Sequence, residues 1–95
     1  MIIMPIAEKE VSGTFKREIV KNIDDEPCQY ELFDSNAKSV YIGSSCKCKT
    51  RLYQQLRRFP QSMTFKARFT QNCPEARMIE KFLCLTNKPP ANKKC

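Results

Sequence analysis

Two short strand-like runs that flank turn-forming residues are the feature that most constrains how this chain can fold. Residues 30–33, YELF, alternate polar and apolar side chains as a half-buried strand does, and residues 39–42, SVYI, form the returning run. The residues between them, DSNA at 34–37, tolerate turn geometry. Gly43 follows the second run, where we expect the strand to end in a conformation that glycine adopts at low cost. The pattern predicts an antiparallel β-hairpin.

A helix is predicted over residues 49–59, after the hairpin. Leu52, Leu56 and Phe59 are spaced i, i+4 and i+7, which places them along one apolar stripe. Arg51 lies in the first turn of this helix. Residues 63–70, MTFKARFT, then alternate and predict a third strand whose apolar side chains share one face.

A second helix is predicted beyond that strand. Asn72 or Cys73 is expected near its N-cap, with Pro74 in the first turn, where the missing N–H costs nothing. The apolar residues within 76–85 cover a wide face, so we expect this helix to be largely buried. Glu80 falls close to that face, where a metal ion or Arg51 would serve as its partner; the alternative is a solvated glutamate that pairs with Lys81 or Arg77.

The N-terminal region carries the weakest pattern. Within residues 7–24 we expect a short helix through Phe15, Ile19 and Val20, before DDEP at 24–27 breaks the chain. Ser12 or Thr14 is the expected N-cap of that helix.

The predicted fold class is a small α/β fold, a three-stranded antiparallel sheet with helices packed against it. A chain of 95 residues has the size of one domain. We divide it into an N-terminal extension, 1–26, and a core, 27–93.

The charge balance favours an anionic partner. The chain has 17 Lys and Arg against 10 Asp and Glu, a formal charge of +7, which suits nucleic acid or simply confers solubility. No apolar run approaches the roughly 20 residues of a membrane span, and residues 1–6 are too short for a signal-peptide core. We expect a protein that does not enter membranes and is intracellular, either cytoplasmic or nucleoid-associated.

The absence of histidine excludes several kinds of site. Serine triads, histidine-ligated metal centres and mixed Cys/His zinc fingers all need an imidazole. A catalytic base in this chain must therefore come from tyrosine, lysine or a carboxylate.

The six cysteines leave three alternatives: ordinary thiols, disulfides, or an all-thiolate zinc site. The spacing lacks paired C-x-x-C knuckles, and no secretion signal is visible, so ordinary thiols are the default. Cys46 and Cys48 lie between lysines near a helix start and are expected to be the most reactive.

The hairpin and its helix resemble the core of the GIY-YIG nuclease superfamily. Tyr30 is followed eleven residues later by the triplet YIG at 41–43, and Arg51 comes ten residues after Tyr41. The segment 76–83, ARMIEKFL, resembles the helix that bears the metal-binding glutamate of that family. The segment KPPAN at 88–92, whose asparagine follows that glutamate by twelve residues, resembles its closing element. The resemblance covers roughly residues 27–93.

The resemblance implies a metal-dependent endonuclease that hydrolyses DNA phosphodiester bonds. It implies one Mg²⁺ or Mn²⁺ ion on Glu80, with Arg51 binding the phosphate as charge develops. Tyr30 or Tyr41 would accept the proton, and the sequence leaves open which one does so. Asn92 would close the site through amide hydrogen bonds.

Further residues are expected to contact the nucleic acid. They are Ser44, Lys47, Lys49, Gln55, Arg58 and Lys66. Two positions depart from the family pattern, because Cys28-Gln29 stands where Gly-Ile is usual and Gln55 where histidine or tyrosine is common. Glutamine cannot exchange protons near neutral pH, so a reduced rate or a different base follows as a hypothesis.

The alternative is a nucleic-acid-binding module that keeps the fold and its basic face but has lost useful turnover. A cysteine-based metal or redox protein is a weaker third hypothesis. DNA is the expected partner by resemblance, with a role in DNA repair or in a mobile element. A separate protein partner could confer specificity, and the oligomeric state stays open.

Overall fold

The computed structural model describes residues 9–92, which form four strands and three helices. The elements are β1 (Lys9–Thr14), α1 (Arg17–Val20), β2 (Cys28–Phe33), β3 (Ser39–Ser45), α2 (Cys48–Arg58), β4 (Thr64–Phe69) and α3 (Cys73–Asn87). The apolar segment 1–6 and the last residue of the predicted core, residue 93, lie outside the described residues. No helix in the described part has the length and apolar character to cross a membrane.

The strands form one antiparallel sheet in the order β1-β4-β2-β3. The predicted fold class is confirmed, but the sheet has four strands where three were expected. β2 and β4 are the central strands, each paired with a neighbour on both edges. One face packs against α1 and α2, and the main apolar core lies there. The other face of β2 and β3 packs against α3.

The fourth strand, β1, lies just before the predicted N-terminal helix, in a region where no strand was expected. β1 pairs with β4 from Lys9↔Phe69 to Thr14↔Thr64. Its side chains are mostly exposed, as on an edge strand, so local periodicity gave no strand signal. The predicted helix is reduced to Arg17–Val20 and begins after Phe15, whose N–H bonds to the Met63 carbonyl at 2.9 Å. Pairing with a distant strand overrode the weak local pattern here.

The predicted hairpin forms, and its turn has a specific local cause. Asp34 Oδ1 accepts from the backbone N–H groups of Asn36, at 2.8 Å, and Lys38, at 3.0 Å. Ala37 takes up the left-handed conformation in this turn, with φ of 61°. An aspartate side chain that replaces backbone partners in this way is typical of turns.

Gly43 is not conformationally special, contrary to the expectation. β3 continues through it to Ser45, and neither glycine among residues 9–92 has a positive φ. The requirement is steric, because a Cβ at Gly43 would lie 2.5 Å from the Cζ and Oη atoms of Tyr30, its cross-strand partner.

α2 packs as its apolar stripe predicted. Leu52 and Phe59 are buried in the core beneath the sheet, and Leu56 packs against that core while remaining partly exposed. β4 likewise buries Phe65, Ala67 and Phe69 on the same face.

α3 begins as predicted but is less buried than expected. The Asn72 side chain accepts from the Glu75 N–H at 2.9 Å, and a proline occupies the first turn. Only part of the apolar surface is covered. The residues Ala76, Ile79 and Cys84 are buried, whereas Met78, Phe82 and Leu85 are exposed.

A disulfide joins the start of α2 to the start of α3. Cys46 and Cys73 are bonded, with a Cα–Cα distance of 5.2 Å. The expectation of ordinary thiols is therefore wrong for this pair. Cys28 and Cys48 are buried free thiols, so Cys48 is not the exposed reactive thiol that its lysine neighbours suggested.

Candidate active site

Tyr30 lies at the centre of the core, with its hydroxyl enclosed. The side chain is fully buried, and its Oη accepts a hydrogen bond from Gln55 Nε2 at 2.6 Å. Burial raises the pKa of Tyr30 well above its usual value, and the hydrogen bond from Gln55 opposes that effect only in part. Arg51 also lowers it. The phenol therefore stays protonated near neutral pH.

Tyr41 lies beside Tyr30 but nearer the surface. The two ring centroids are 6.2 Å apart, and the Tyr41 ring lies 4.9 Å from that of Phe59. The Arg58 guanidinium carbon is 5.1 Å from the Tyr41 centroid, in cation–π contact. The structure thus places a cation over the more accessible of the two tyrosines.

Glu80 meets Ser44 across the α3 face of the sheet. The Ser44 hydroxyl donates a short hydrogen bond to Glu80 Oε1. Among the described residues, this half-buried carboxylate is bonded to Ser44 and not to Arg51, the side-chain partner that the sequence suggested. The hydroxyl donor engages only one of the two carboxylate oxygens.

A polar cleft of about 340 Å³ opens between the end of β3, α2 and the start of α3. Its charged lining residues are all cationic: Lys47, Arg51 and Arg77. The remaining lining residues are Ser44, Ser45, Cys46, Thr50, Gln54 and Cys73. Ser44 joins the cleft to Glu80, and the disulfide closes one wall. Such a lining attracts an anion.

Asn92 is placed against the edge strand. Its Oδ1 accepts from the Ile42 N–H at 2.8 Å, and its Nδ2 donates to the Ile42 carbonyl at 2.9 Å. The Ala91 N–H also bonds to the Val40 carbonyl at 3.1 Å. The segment 88–92 thus satisfies the free edge of β3, and the amide of Asn92 fixes the backbone between Tyr41 and Gly43.

The residues expected to contact nucleic acid are dispersed. Ser44 and Lys47 line the cleft, and Lys49 lies half-buried in the first turn of α2. Gln55 is buried against Tyr30, so its amide faces the core and not a ligand. Lys66 lies on the same face of the sheet as Ser44 but on β4, separated from β3 by β2, and its Nζ atom is 3.9 Å from a carboxylate oxygen of Glu10.

Comparison with solved structures shows which fold brings these residues together. The GIY-YIG N-terminal endonuclease domain of UvrC from Thermotoga maritima, bound to its catalytic divalent cation, magnesium, superposes with a TM-score of 0.69. The match covers 81% of this chain and 99% of that domain, at 20% identity. The chain has the GIY-YIG fold.

Point mutants of the same domain, also bound to the divalent cation, match equally well. One with a tyrosine changed to phenylalanine has a TM-score of 0.72 at 22% identity, over 82% of this chain and 94% of that one. One with an asparagine changed to alanine has a TM-score of 0.71 at 19% identity, over 83% and 100%. No known family profile matches this chain, and no curated protein matches it.

Sequence reasoning missed Arg77 as a residue of the cleft of this GIY-YIG fold. Arg77 precedes Glu80 by three residues on α3, a spacing that puts both side chains on one side of a helix. That spacing was the available signal. By contrast, whether Thr50 and Gln54 line the cleft depends on how α2 is placed relative to α3, which the sequence does not show.

The donor set allows a metal ion held by one carboxylate. Residues 9–92 contain no cluster of three or more Cys, Asp or Glu side chains suited to a metal ion. Glu80, with Ser44 on one oxygen, fits an ion that keeps most of its own water ligands, as Mg²⁺ does.

Proposed function

We propose that this domain with the GIY-YIG fold is a metal-dependent endonuclease that hydrolyses DNA phosphodiester bonds. The observation that carries the proposal is a cationic cleft lined by Arg51 and by Ser44, whose hydroxyl donates a hydrogen bond to Glu80. A phosphodiester is anionic, and its hydrolysis adds negative charge to the phosphoryl oxygens. A cleft with three cations meets both requirements.

Arg51 is the proposed phosphate-binding residue. It projects from the first turn of α2 into the cleft, and Lys47 and Arg77 flank it. A planar guanidinium binds two phosphate oxygens at once, which orients the scissile group. The neighbouring cations raise the local concentration of the anionic substrate.

Glu80 is the proposed metal ligand. It would hold one Mg²⁺ or Mn²⁺ ion, with Ser44 fixing the carboxylate through Oε1. When bound, such an ion supplies positive charge for the phosphoryl oxygens and lowers the pKa of a bound water.

Tyr41 is favoured over Tyr30 as the proton acceptor. The Tyr30 hydroxyl is enclosed and engaged by Gln55, and its raised pKa disfavours loss of the proton. Tyr41 is half-buried, stacks beneath Arg58, and belongs to the backbone segment that Asn92 holds in place. Tyr30 then acts as a positioning residue for the site, together with Gln55.

The test is plasmid cleavage with Mg²⁺ or Mn²⁺ by the parent, Glu80→Gln and Arg51→Ala. Removing one such electrostatic group is expected to reduce the cleavage rate by about 10²–10³-fold. Glu75→Gln is the matched control, because it removes a carboxylate from the same helix. The glutamine keeps a side-chain oxygen for the Asn72 Nδ2 atom, which lies 3.3 Å from Glu75 Oε1. Cleavage by Glu75→Gln at the parent rate is expected. A Glu80→Gln variant that is folded and equally active would contradict the proposal.

The second candidate is a DNA-binding module with the same fold. The buried position of Gln55, bonded to Tyr30 and incapable of proton exchange, is the observation that favours it. Binding without metal-dependent cleavage in the same assay would decide for this alternative. We also propose an intracellular site of action and a role in DNA repair or in a mobile element. A separate protein partner would confer specificity.

A further inference from the structure

A second groove adjoins the cleft along α2. It has a volume of about 460 Å³ and is lined by Arg17, Thr50, Tyr53, Gln54 and Arg57. Thr50 and Gln54 line both the cleft and this groove, which makes them neighbours. The groove therefore extends the cationic cleft toward α1, a segment that the catalytic proposal does not use.

The groove presents fixed positive charge. Arg17 and Arg57 are exposed, and in the described part of the chain neither forms an ion pair with a carboxylate. The Arg17 guanidinium carbon is 5.3 Å from the centroid of the Tyr53 ring. Stacking on an aromatic face holds a guanidinium in place while its N–H donors stay free for a phosphate.

Asp25, the carboxylate next to the groove, is already engaged. Its oxygens accept from the Thr50 N–H at 3.0 Å and from the Thr50 hydroxyl at 2.9 Å. The Thr50 N–H, with a smaller effect from Lys47, lowers the pKa of Asp25. This carboxylate caps the start of α2, and among the described residues it forms no ion pair with the arginines of the groove.

We propose that this groove binds the phosphates that flank the scissile bond on the nucleic-acid strand. The proposal rests on the proposed function, since it takes the cleft as the site of cleavage. Six residues of helix separate Arg51 from Arg57, about 9 Å at ~1.5 Å per residue. This displacement exceeds the ~3.4 Å that one strand of a duplex advances along its axis per phosphate, so the two arginines can contact different phosphates of one strand. Arg57 and Arg17 contact the phosphates beyond the one that Arg51 holds.

The experiment measures binding separately from cleavage. Binding of the Glu80→Gln protein to a labelled DNA oligonucleotide is measured by fluorescence anisotropy over a series of salt concentrations. One arm of the experiment uses single-stranded DNA and the other uses duplex DNA. Adding Arg17→Ala or Arg57→Ala is expected to weaken binding about tenfold each and to reduce the salt slope by about 1. Adding Lys38→Ala, which removes an exposed charge from the hairpin turn, is the control and is expected to change neither quantity.

The outcomes separate this proposal from the catalytic one. If the arginine variants are folded by circular dichroism and bind both DNA forms as the Lys38→Ala control does, the groove proposal is overturned, whether or not the parent cleaves DNA. If they lose affinity in either arm while the parent cleaves nothing, the groove stands and the nuclease proposal fails. Arg17→Lys adds a finer readout, because it keeps the charge but loses the planar stack on Tyr53, and an intermediate affinity is expected.

Discussion

Replacing Gly43 with alanine tests the close packing of the two central motif strands. The added Cβ would lie 2.5 Å from Tyr30 Cζ and Oη and 3.0 Å from Cε1. Ordinary van der Waals contact begins at 3.4 Å, so the overlap is 3.4 minus 2.5, or 0.9 Å. The ring cannot retreat freely, because it is fully buried and its hydroxyl is bonded to Gln55.

The expected cost is about 3 kcal/mol. Overpacking a core typically costs ~1–3 kcal/mol, and a displaced ring also leaves the buried Gln55 amide without its acceptor, at ~1–3 kcal/mol. The unfolding midpoint should fall by roughly 12–24 °C for a domain of this size. If backbone conformation alone mattered, the change in unfolding free energy would have the opposite sign. With φ in the ordinary range, Gly→Ala would stabilise the chain by about 0.4–1 kcal/mol through the unfolded state.

Urea unfolding followed by circular dichroism measures this loss of stability. Repeating the Gly43→Ala substitution in two Tyr30 variants tests whether the Tyr30 ring causes the loss. In Tyr30→Phe the ring remains, so Gly43→Ala should stay costly. In Tyr30→Leu the ring is gone, and the same change should cost less than about 1 kcal/mol. A neutral or stabilising Gly43→Ala, or an equal cost in both backgrounds, would refute the steric reasoning.

Three further predictions concern the groups that hold the site together. The Cys46–Cys73 bond closes a loop with a sequence separation of 27, so the double variant Cys46→Ser/Cys73→Ser should lose about 3.5 kcal/mol of unfolding free energy in urea; an unchanged midpoint would contradict this. The folded-state pKa of Tyr30 lies above the unfolded value, so its contribution to stability is fully present below the unfolded value near ~10 and is lost as pH rises beyond it. Alkaline unfolding of the parent but a flatter pH dependence in Tyr30→Phe is the expected result, and identical slopes would count against it. Asn92→Ala removes both hydrogen bonds to Ile42 and should cost about 1–3 kcal/mol, with faster amide exchange at Ile42; unaltered exchange there would argue against the role of the amide.

Local patterns were sufficient for much of the fold. The hairpin around residues 34–37, the apolar stripe of α2 and the Asn72 cap of α3 were all predicted correctly. Each depends on neighbours within a few residues, such as turn-forming side chains, an i, i+4 repeat, or a cap that bonds three residues ahead. The motif spacing likewise indicated which residues would meet, because it is a property of the sequence itself.

The candidate site was predicted only in part. Arg51 and Ser44 do line one cleft, whereas Glu80 is not among its lining residues and is linked to it only by the hydrogen bond from the Ser44 hydroxyl. Gln55 was expected to face a ligand and instead faces the core. Which side of α2 points inward next to Tyr30 depends on how the helix is rotated against the sheet, and that rotation is set by packing.

Sequence by itself thus determined the types of the elements from β2 to α3, the basic charge, and the order of the motif residues, because these depend on composition and short-range periodicity. Only the tertiary structure decided the pairing of β1 with β4, the contact of Gly43 with Tyr30, and the Cys46–Cys73 bond. Each of these joins residues that are distant along the chain or on different elements. Their proximity depends on long-range packing, which no local pattern encodes.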